Sequence, residues 1–126
     1  MKLYVAIGIG GMIGASGRYG ISLLVDTNGF PFSTLIVNLI GCFMLAYLLN
    51  HSFMKQKLSA AVFGALTTGL IGSFTTFSAL AVEYVQLWDA NPIAALSYIV
   101  ITFIGGLAFS YLGYQFADKA GKQVSR

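Results

Sequence analysis

The sequence predicts an all-α membrane protein, a single domain of four transmembrane helices over residues 1–126. Hydrophobic residues make up 57% of the chain and charged residues only 9%, a balance outside the range of soluble domains. A spanning helix needs about 20 mostly apolar residues. The polar breaks in the sequence leave four apolar stretches of about that length, so no room remains for a separate soluble domain.

The four predicted spans are separated by short polar links. They run from Leu3 to Val25, Phe32 to Leu49, Ser59 to Val82 and Pro92 to Phe116. The link over 26–31 carries turn-forming residues, the link over 51–58 is basic, and Pro92 suits the first turn of a helix. A secretory signal is the competing interpretation of the first span, but that stretch is long and contains Arg18.

The basic residues predict the orientation of the chain in the membrane. Six of the seven fall on the same side as the N-terminus, and the opposite loops, which contain Asp26 and Asp89, hold none. The six are Lys2, Lys55, Lys57, Lys119, Lys122 and Arg126. Because cytoplasmic loops carry an excess of basic residues, we expect both termini in the cytoplasm. The same bias accounts for the net charge of +3, and we expect no nucleic-acid partner.

The most unusual segment is Gly-Ser-Phe-Thr-Thr-Phe-Ser at 72–78, in the third span. Gly72 permits unusual backbone angles, and the hydroxyls of Thr75, Thr76 and Ser78 can bond to backbone groups. Irregular backbone at membrane depth is tolerated only where it is buried in protein or lines a watery cavity. The segment therefore predicts a helix broken near its middle beside an ion path. A kinked helix whose hydroxyls bond to their own carbonyls is the alternative.

Further polar side chains lie inside the second and fourth spans. Asn38 either forms an interhelical hydrogen bond or offers its NH2 group to an anion in a pore. A series at i+4 spacing in the fourth span shares one helix face, as a polar track or as a set of interhelical hydrogen bonds. Its members are Tyr98, Thr102, Gly106 and Ser110. The positive ring edge of Phe77 could also face a small anion.

The sequence carries no sign of an enzyme. It has no paired acids, no Ser/His/Asp set, no phosphate-binding loop and no cluster of metal-ligand side chains. Cys42 is the single cysteine, which excludes an intramolecular disulfide. Glu83 is expected to end the third span at the membrane interface.

Three segments together resemble the Fluc (CrcB-type) fluoride channels. They are Gly-Arg-Tyr at 17–19, Asn-Leu-Ile-Gly-Cys-Phe at 38–43 and the segment 72–78. The resemblance covers the whole chain. It implies passive fluoride efflux that lowers fluoride toxicity, a bacterial cytoplasmic membrane, an antiparallel dimer with two pores, and a structural sodium ion at the dimer interface.

The resemblance also implies roles for individual residues. The backbone carbonyls of Gly72 and Thr75 would hold the sodium ion, and Arg18 would attract anions at the vestibule. The remaining residues implied to lie on the fluoride path are Asn38, Thr76, Phe77, Ser78, Tyr98, Thr102 and Ser110.

The chain departs from the family pattern at two points. A second phenylalanine is usual three positions after Phe77, and this chain has Leu80 there. Antiparallel self-pairing also needs insertion in both directions, whereas the charge bias predicts one. Both departures favour a heterodimer with a paralogous subunit inserted the opposite way, which could supply the absent ring. A homodimer is the alternative.

Two other function classes compete with a channel. A small multidrug-resistance type exporter would need a proton-coupled carboxylate deep in the first span, where the ionisable side chain is Arg18. A non-transporting scaffold subunit would suit glycine-rich helices, but it gives no reason for Asn38 and the Thr75-Thr76 pair to coincide.

Overall fold

The computed structural model describes residues 1–25 and 29–124, apart from the side chains at positions 53, 123 and 124. Asp26 and Arg126, which entered the orientation argument, lie outside the described residues. Within them the chain is helical and contains no strand, so the prediction of an all-α chain is confirmed there. The first half holds α1 (Lys2–Leu24), α2 (Phe32–Asn50) and the short α3 (Ser52–Lys57).

The third helical stretch is built from several pieces. It begins with α4 (Ala60–Gly64), continues as a π-helical segment (Ala65–Ile71), and ends with one α-helical turn, α5 (Gly72–Phe74). After two extended residues the chain resumes as α6 (Phe77–Ala90), and α7 (Pro92–Val124) completes the fold. The Asn91 side-chain oxygen accepts hydrogen bonds from the backbone N–H groups of Ile93 and Ala94, which fixes the start of α7.

Three helical stretches of the described chain are long and apolar enough to cross a membrane. They are Phe32–Asn50, Ala60–Ala90 and Pro92–Lys122. Helix α1, with 23 residues, is long enough to span, but its six glycines and Arg18 lower its hydropathy.

The helices pack as two close pairs. Helix α1 lies against the third stretch, where a Cβ atom added to Gly10 or Gly14 would collide with the backbone carbonyl of Ala65 or Leu70. Helix α2 lies against α7, and a Cβ atom on Gly113 would collide with the carbonyl of Phe43. Small residues thus bring the backbones together, as is typical of membrane helices.

A buried apolar cluster joins the two pairs at one end of the bundle. Its members come from α2, α6 and α7: Leu35, Leu80, Leu87, Ala95 and Tyr98. Tyr98 is fully buried and its ring meets the edge of Phe30. This cluster fixes α6, and with it the position at which the helix restarts after the break.

The third helical stretch does not end where its predicted membrane span ends, at Val82 before Glu83. The helix continues through Ala90, and α7 likewise extends past Phe116 to Val124. Hydropathy falls after Val82 because Glu83, Gln86 and Asp89 enter the sequence. Backbone hydrogen bonds do not depend on side-chain hydropathy, so the helix continues beyond the apolar residues.

Candidate ion-binding groove at the helix break

The third stretch is interrupted by two residues in extended conformation. Helix α5 ends at Phe74, Thr75 has ψ 157°, and Thr76 has φ −150° and ψ 125°. The Thr76 hydroxyl then caps the first turn of α6 by accepting a hydrogen bond from the N–H of Ala79 at 3.2 Å. The side chain of Thr75 packs with its methyl group against the backbone of Gly41 in α2.

The side chain of Asn38, on α2, forms two hydrogen bonds with the backbone at the break. Its Nδ2 donates to the Thr76 carbonyl at 3.0 Å, and its Oδ1 accepts from the Thr76 N–H at 2.8 Å. One amide group therefore satisfies both backbone groups of a residue that no longer belongs to a helix. A second hydrogen on Nδ2 is available for another acceptor.

Two carbonyls lose their ordinary helical donors because of these bonds. The Gly72 carbonyl would normally accept from the N–H of Thr76, which donates to Asn38 instead. The Thr75 carbonyl would accept from the N–H of Ala79, which donates to the Thr76 hydroxyl instead. The carbonyls implied as sodium ligands are thus the two whose i+4 donors are diverted to side chains.

A groove of about 420 Å³ runs alongside the break. The predicted site residues that line it are Asn38, Gly72, Thr75, Thr76, Phe77, Thr102 and Ser110. Phe77 is 72% exposed in the single chain, whereas Leu80, one helical turn later, is only 4% exposed. The aromatic ring therefore stands in the groove, and the leucine forms part of its packed wall.

Three predicted site residues lie outside this groove. Ser78 is exposed and its hydroxyl lies 3.3 Å from that of Thr76. Tyr98 is buried in the apolar cluster, and Thr102 donates its hydroxyl hydrogen to the Tyr98 carbonyl. The i+4 stripe of α7 is therefore divided, with Tyr98 buried between helices and Thr102 and Ser110 in the groove. The third residue, Arg18, lies in a separate cleft.

Sequence reasoning missed a polar network centred on Glu83. The Thr34 hydroxyl donates to one carboxylate oxygen at 2.7 Å, and the Tyr98 hydroxyl donates to the other at 2.8 Å. The network joins α2, α6 and α7. A signal was available in the spacing, because Glu83 shares a helix face with the buried Leu80 and Leu87, which lie three residues before it and four residues after it.

A second cleft, of about 300 Å³, places Arg18 close to this network. Arg18, Thr34, Thr76 and Glu83 all line it. The Arg18 Nε is buried and, among the described residues, has no hydrogen-bond partner. Thr76 lines both the cleft and the groove, so one residue of the break borders both spaces.

The electrostatics of the break suit two ions of opposite charge. Carbonyls at the end of α5 present partial negative charge, and the first N–H groups of α6 present partial positive charge. Within the described residues no group of three or more His, Cys, Asp or Glu side chains could hold a metal ion. The Gly72 and Thr75 carbonyls are oxygen ligands of the kind that a hard cation such as sodium takes.

Comparison with known proteins gives one consistent match. Residues 5–114 match the family described as CrcB-like protein, Camphor Resistance (CrcB). The chain is 42% identical over 118 residues to the Fluoride-specific ion channel FluC 1 of Desulfitobacterium hafniense, covering 91% of this chain and 99% of that protein. It is 38% identical over 117 residues to FluC 2 of Listeria innocua, covering 92% and 91%. FluC 1 of a Bacillus cereus strain is 42% identical over 120 residues, covering 92% and 83%.

Proposed function

Because the chain belongs to the CrcB-like family, we propose that it is a fluoride-specific channel. It would let fluoride leave the bacterial cytoplasm passively and so reduce fluoride toxicity. The observation that carries the proposal is the break held by Asn38, which opens onto a groove containing an exposed phenylalanine ring.

The groove offers the donors that a small, strongly hydrated anion needs. A conducting path must replace water around fluoride without holding it too tightly. The second Nδ2 hydrogen of Asn38, the ring edge of Phe77 and the hydroxyl of Ser110 supply weak donors along the groove. The Thr102 hydroxyl also lines the groove, but its hydrogen is donated to the Tyr98 carbonyl, so it would donate to fluoride only after giving up that bond. Arg18 lines the cleft on the other side of Thr76 and would concentrate anions at one end of the path.

A sodium ion would be structural in this proposal. The carbonyls of Gly72 and Thr75 would contribute to its ligand set, together with the equivalent carbonyls of a second subunit. When bound, the ion supplies fixed positive charge beside the break, which offsets part of the cost of bringing an anion nearby.

The groove supports a dimer. Phe77 is 72% exposed, and a groove that contains diverted carbonyls needs protein or water against it rather than lipid. We propose four membrane spans including α1, both termini in the cytoplasm, and an antiparallel partner that covers this groove. Leu80 and the one-sided basic residues favour a paralogous partner over a second copy, and the relatives named FluC 1 and FluC 2 support such pairs.

The decisive test is fluoride efflux from liposomes. The chain is reconstituted alone or with a paralogous subunit into vesicles loaded with potassium fluoride, and efflux is followed with a fluoride electrode. A passive channel gives efflux that requires valinomycin as the potassium pathway and does not follow an imposed pH gradient. Folded protein without fluoride efflux in either preparation, or efflux driven by the pH gradient, contradicts the proposal.

A matched pair of substitutions ties the flux to the groove. Phe77→Ile removes the ring from the groove and is expected to abolish efflux while the protein stays folded. Phe109→Ile makes the same change in α7 at a residue that does not line the groove, and efflux should be retained. If the chain were a non-transporting scaffold subunit, neither substitution would have an effect.

A further inference from the structure

A basic platform lies at the end of the bundle that carries the N-terminus. Its parts are α3 and the last three turns of α7, which lie in contact. A Cβ atom on Gly121 would lie 3.9 Å from the Ser52 hydroxyl oxygen. The start of α1 is at the same end, because Leu3 packs against Gly64 just after α3.

Helix α7 is too long to end inside a bilayer. Its 33 residues span about 50 Å at 1.5 Å per residue, against a hydrocarbon core of about 30 Å. The apolar sequence stops at Ala117 and is followed by Asp118 and Lys119. The last turns therefore pass through the headgroup layer, beside α3.

Helix α3 is fixed at this depth by its first residues. The Nδ1 of His51, a buried side chain, accepts a hydrogen bond from the N–H of Met54 at 3.4 Å, and its ring lies 5.2 Å from that of Tyr47. Lys55 and Lys57 occupy the last turn and are exposed. The helix thus holds two ammonium groups beside the exit point of α7.

Positive charge dominates the platform. Lys119 is exposed on α7, and Lys122 forms an ion pair with Asp118 at 2.7 Å. Asp118 is the one acid of α3 and the last three turns of α7. Its charge is matched by Lys122, so three lysines contribute uncompensated charge to the platform.

A polar cleft of about 310 Å³ lies between the two elements. It is lined by Asn50, Ser52, Tyr114, Ala117, Asp118, Gly121 and Lys122. Toward the membrane interior it is followed by aromatic rings, with Phe43 and Phe116 in edge contact at 5.9 Å. Aromatic residues are enriched at the level of the lipid headgroups, so the cleft lies where a phosphate group of the bilayer lies.

We propose that this platform binds the headgroup of an anionic phospholipid from the leaflet on the side of the N-terminus, with the cleft receiving the headgroup oxygens and Lys55, Lys57 and Lys119, which lie on the same two elements but do not line the cleft, supplying the charge. The phosphate would be attracted by Lys55, Lys57 and Lys119, while Asn50, Ser52 and Tyr114 offer hydrogen bonds to the headgroup oxygens. The acyl chains would pack along the apolar surface of α7. This site lies at the end of the bundle away from the Glu83 network and is independent of ion conduction.

Native mass spectrometry of the full chain in detergent can test the site. The protein is titrated with phosphatidylglycerol and, separately, with phosphatidylcholine of the same acyl chains. Each lysine near an anionic surface contributes about fivefold in affinity. Phosphatidylglycerol should bind selectively, and Lys55→Gln combined with Lys57→Gln should weaken its binding about 25-fold.

Matched controls make the result decisive. Lys2→Gln removes the same charge at the same end of the bundle but on α1, outside the platform, and it should change binding less than twofold. Lys119→Gln, on α7, should weaken phosphatidylglycerol binding about fivefold. This variant tests the proposal if the Lys55 and Lys57 double variant fails to fold. Equal losses in the Lys2 variant, equal binding of phosphatidylcholine, or equally tight binding of glycerol phosphate or inorganic phosphate would each overturn the proposal.

Discussion

Replacing Asn38 by aspartate probes the link between the backbone break and conduction. The substitution keeps the side chain's shape and the oxygen that accepts from the Thr76 N–H at 2.8 Å. In the unchanged chain Nδ2 lies 3.0 Å from the Thr76 carbonyl oxygen. The substitution replaces that NH2 group with an oxygen, which cannot donate to the carbonyl. Loss of one donor to a part-buried carbonyl costs about 1 to 3 kcal/mol of folding free energy.

The effect on fluoride should be larger than the effect on folding. A carboxylate about 4 Å from a fluoride ion repels it by about 4 kcal/mol at the effective dielectric constant typical of proteins. We therefore expect Asn38→Asp to lower fluoride efflux about a thousandfold, since 1.4 kcal/mol corresponds to a factor of ten.

Asn50→Asp is the matched control for this prediction. Asn50 also donates its Nδ2 hydrogen to a backbone carbonyl, that of Ala46 at 2.8 Å, but it is exposed at the end of α2. Efflux is measured with the fluoride electrode and stability by thermal unfolding in detergent. If Asn38→Asp conducts like the unchanged chain, or if Asn50→Asp loses as much efflux, then the break is not on the ion path.

The other predictions concern packing and the buried network. Gly14→Ala should lower the unfolding free energy by about 1 to 3 kcal/mol, because the new methyl group would collide with backbone of the third stretch, whereas Gly20→Ala meets open space and should be neutral or stabilising. Glu83→Ala leaves the Tyr98 hydroxyl without its acceptor and should cost about 2 kcal/mol. Combined with Tyr98→Phe, the cost should be less than additive in thermal unfolding; strict additivity would contradict the network. Leu80→Phe should increase efflux of the chain without a paralogous subunit, at a cost of about 1 to 3 kcal/mol from overpacking a buried position, and unchanged efflux would argue against the missing-ring hypothesis.

The sequence allowed prediction of the helical class, and segment 72–78, predicted to be irregular, contains the two extended residues Thr75 and Thr76. Hydropathy and turn residues mark where helices begin, as at Phe32 and Pro92, and a segment rich in hydroxyls marks an irregular backbone. The ends of helices could not be predicted in the same way, because α6 and α7 continue into polar sequence, where hydropathy does not mark the last helical residue.

The pairing inside the candidate site could not be predicted from sequence. Asn38 and Thr76 are 38 positions apart, and only the packing of α2 against the break shows that one amide serves both backbone groups. Glu83 was assigned to the interface because a charged residue after an apolar run usually lies there. The hydroxyls of Thr34 and Tyr98 hold its carboxylate between three helices, a contact that hydropathy does not predict.

The bond between Asn38 and Thr76 has a consequence for biogenesis. An open break in a newly inserted helix would expose peptide groups to lipid at several kcal/mol each. Here Asn38, from the same chain, satisfies both peptide groups of Thr76 before any encounter with another subunit. A newly made chain can therefore hold the extended backbone at Thr75 and Thr76 inside the bilayer on its own. In the proposed dimer, pairing with a second subunit would then be a separate and later step.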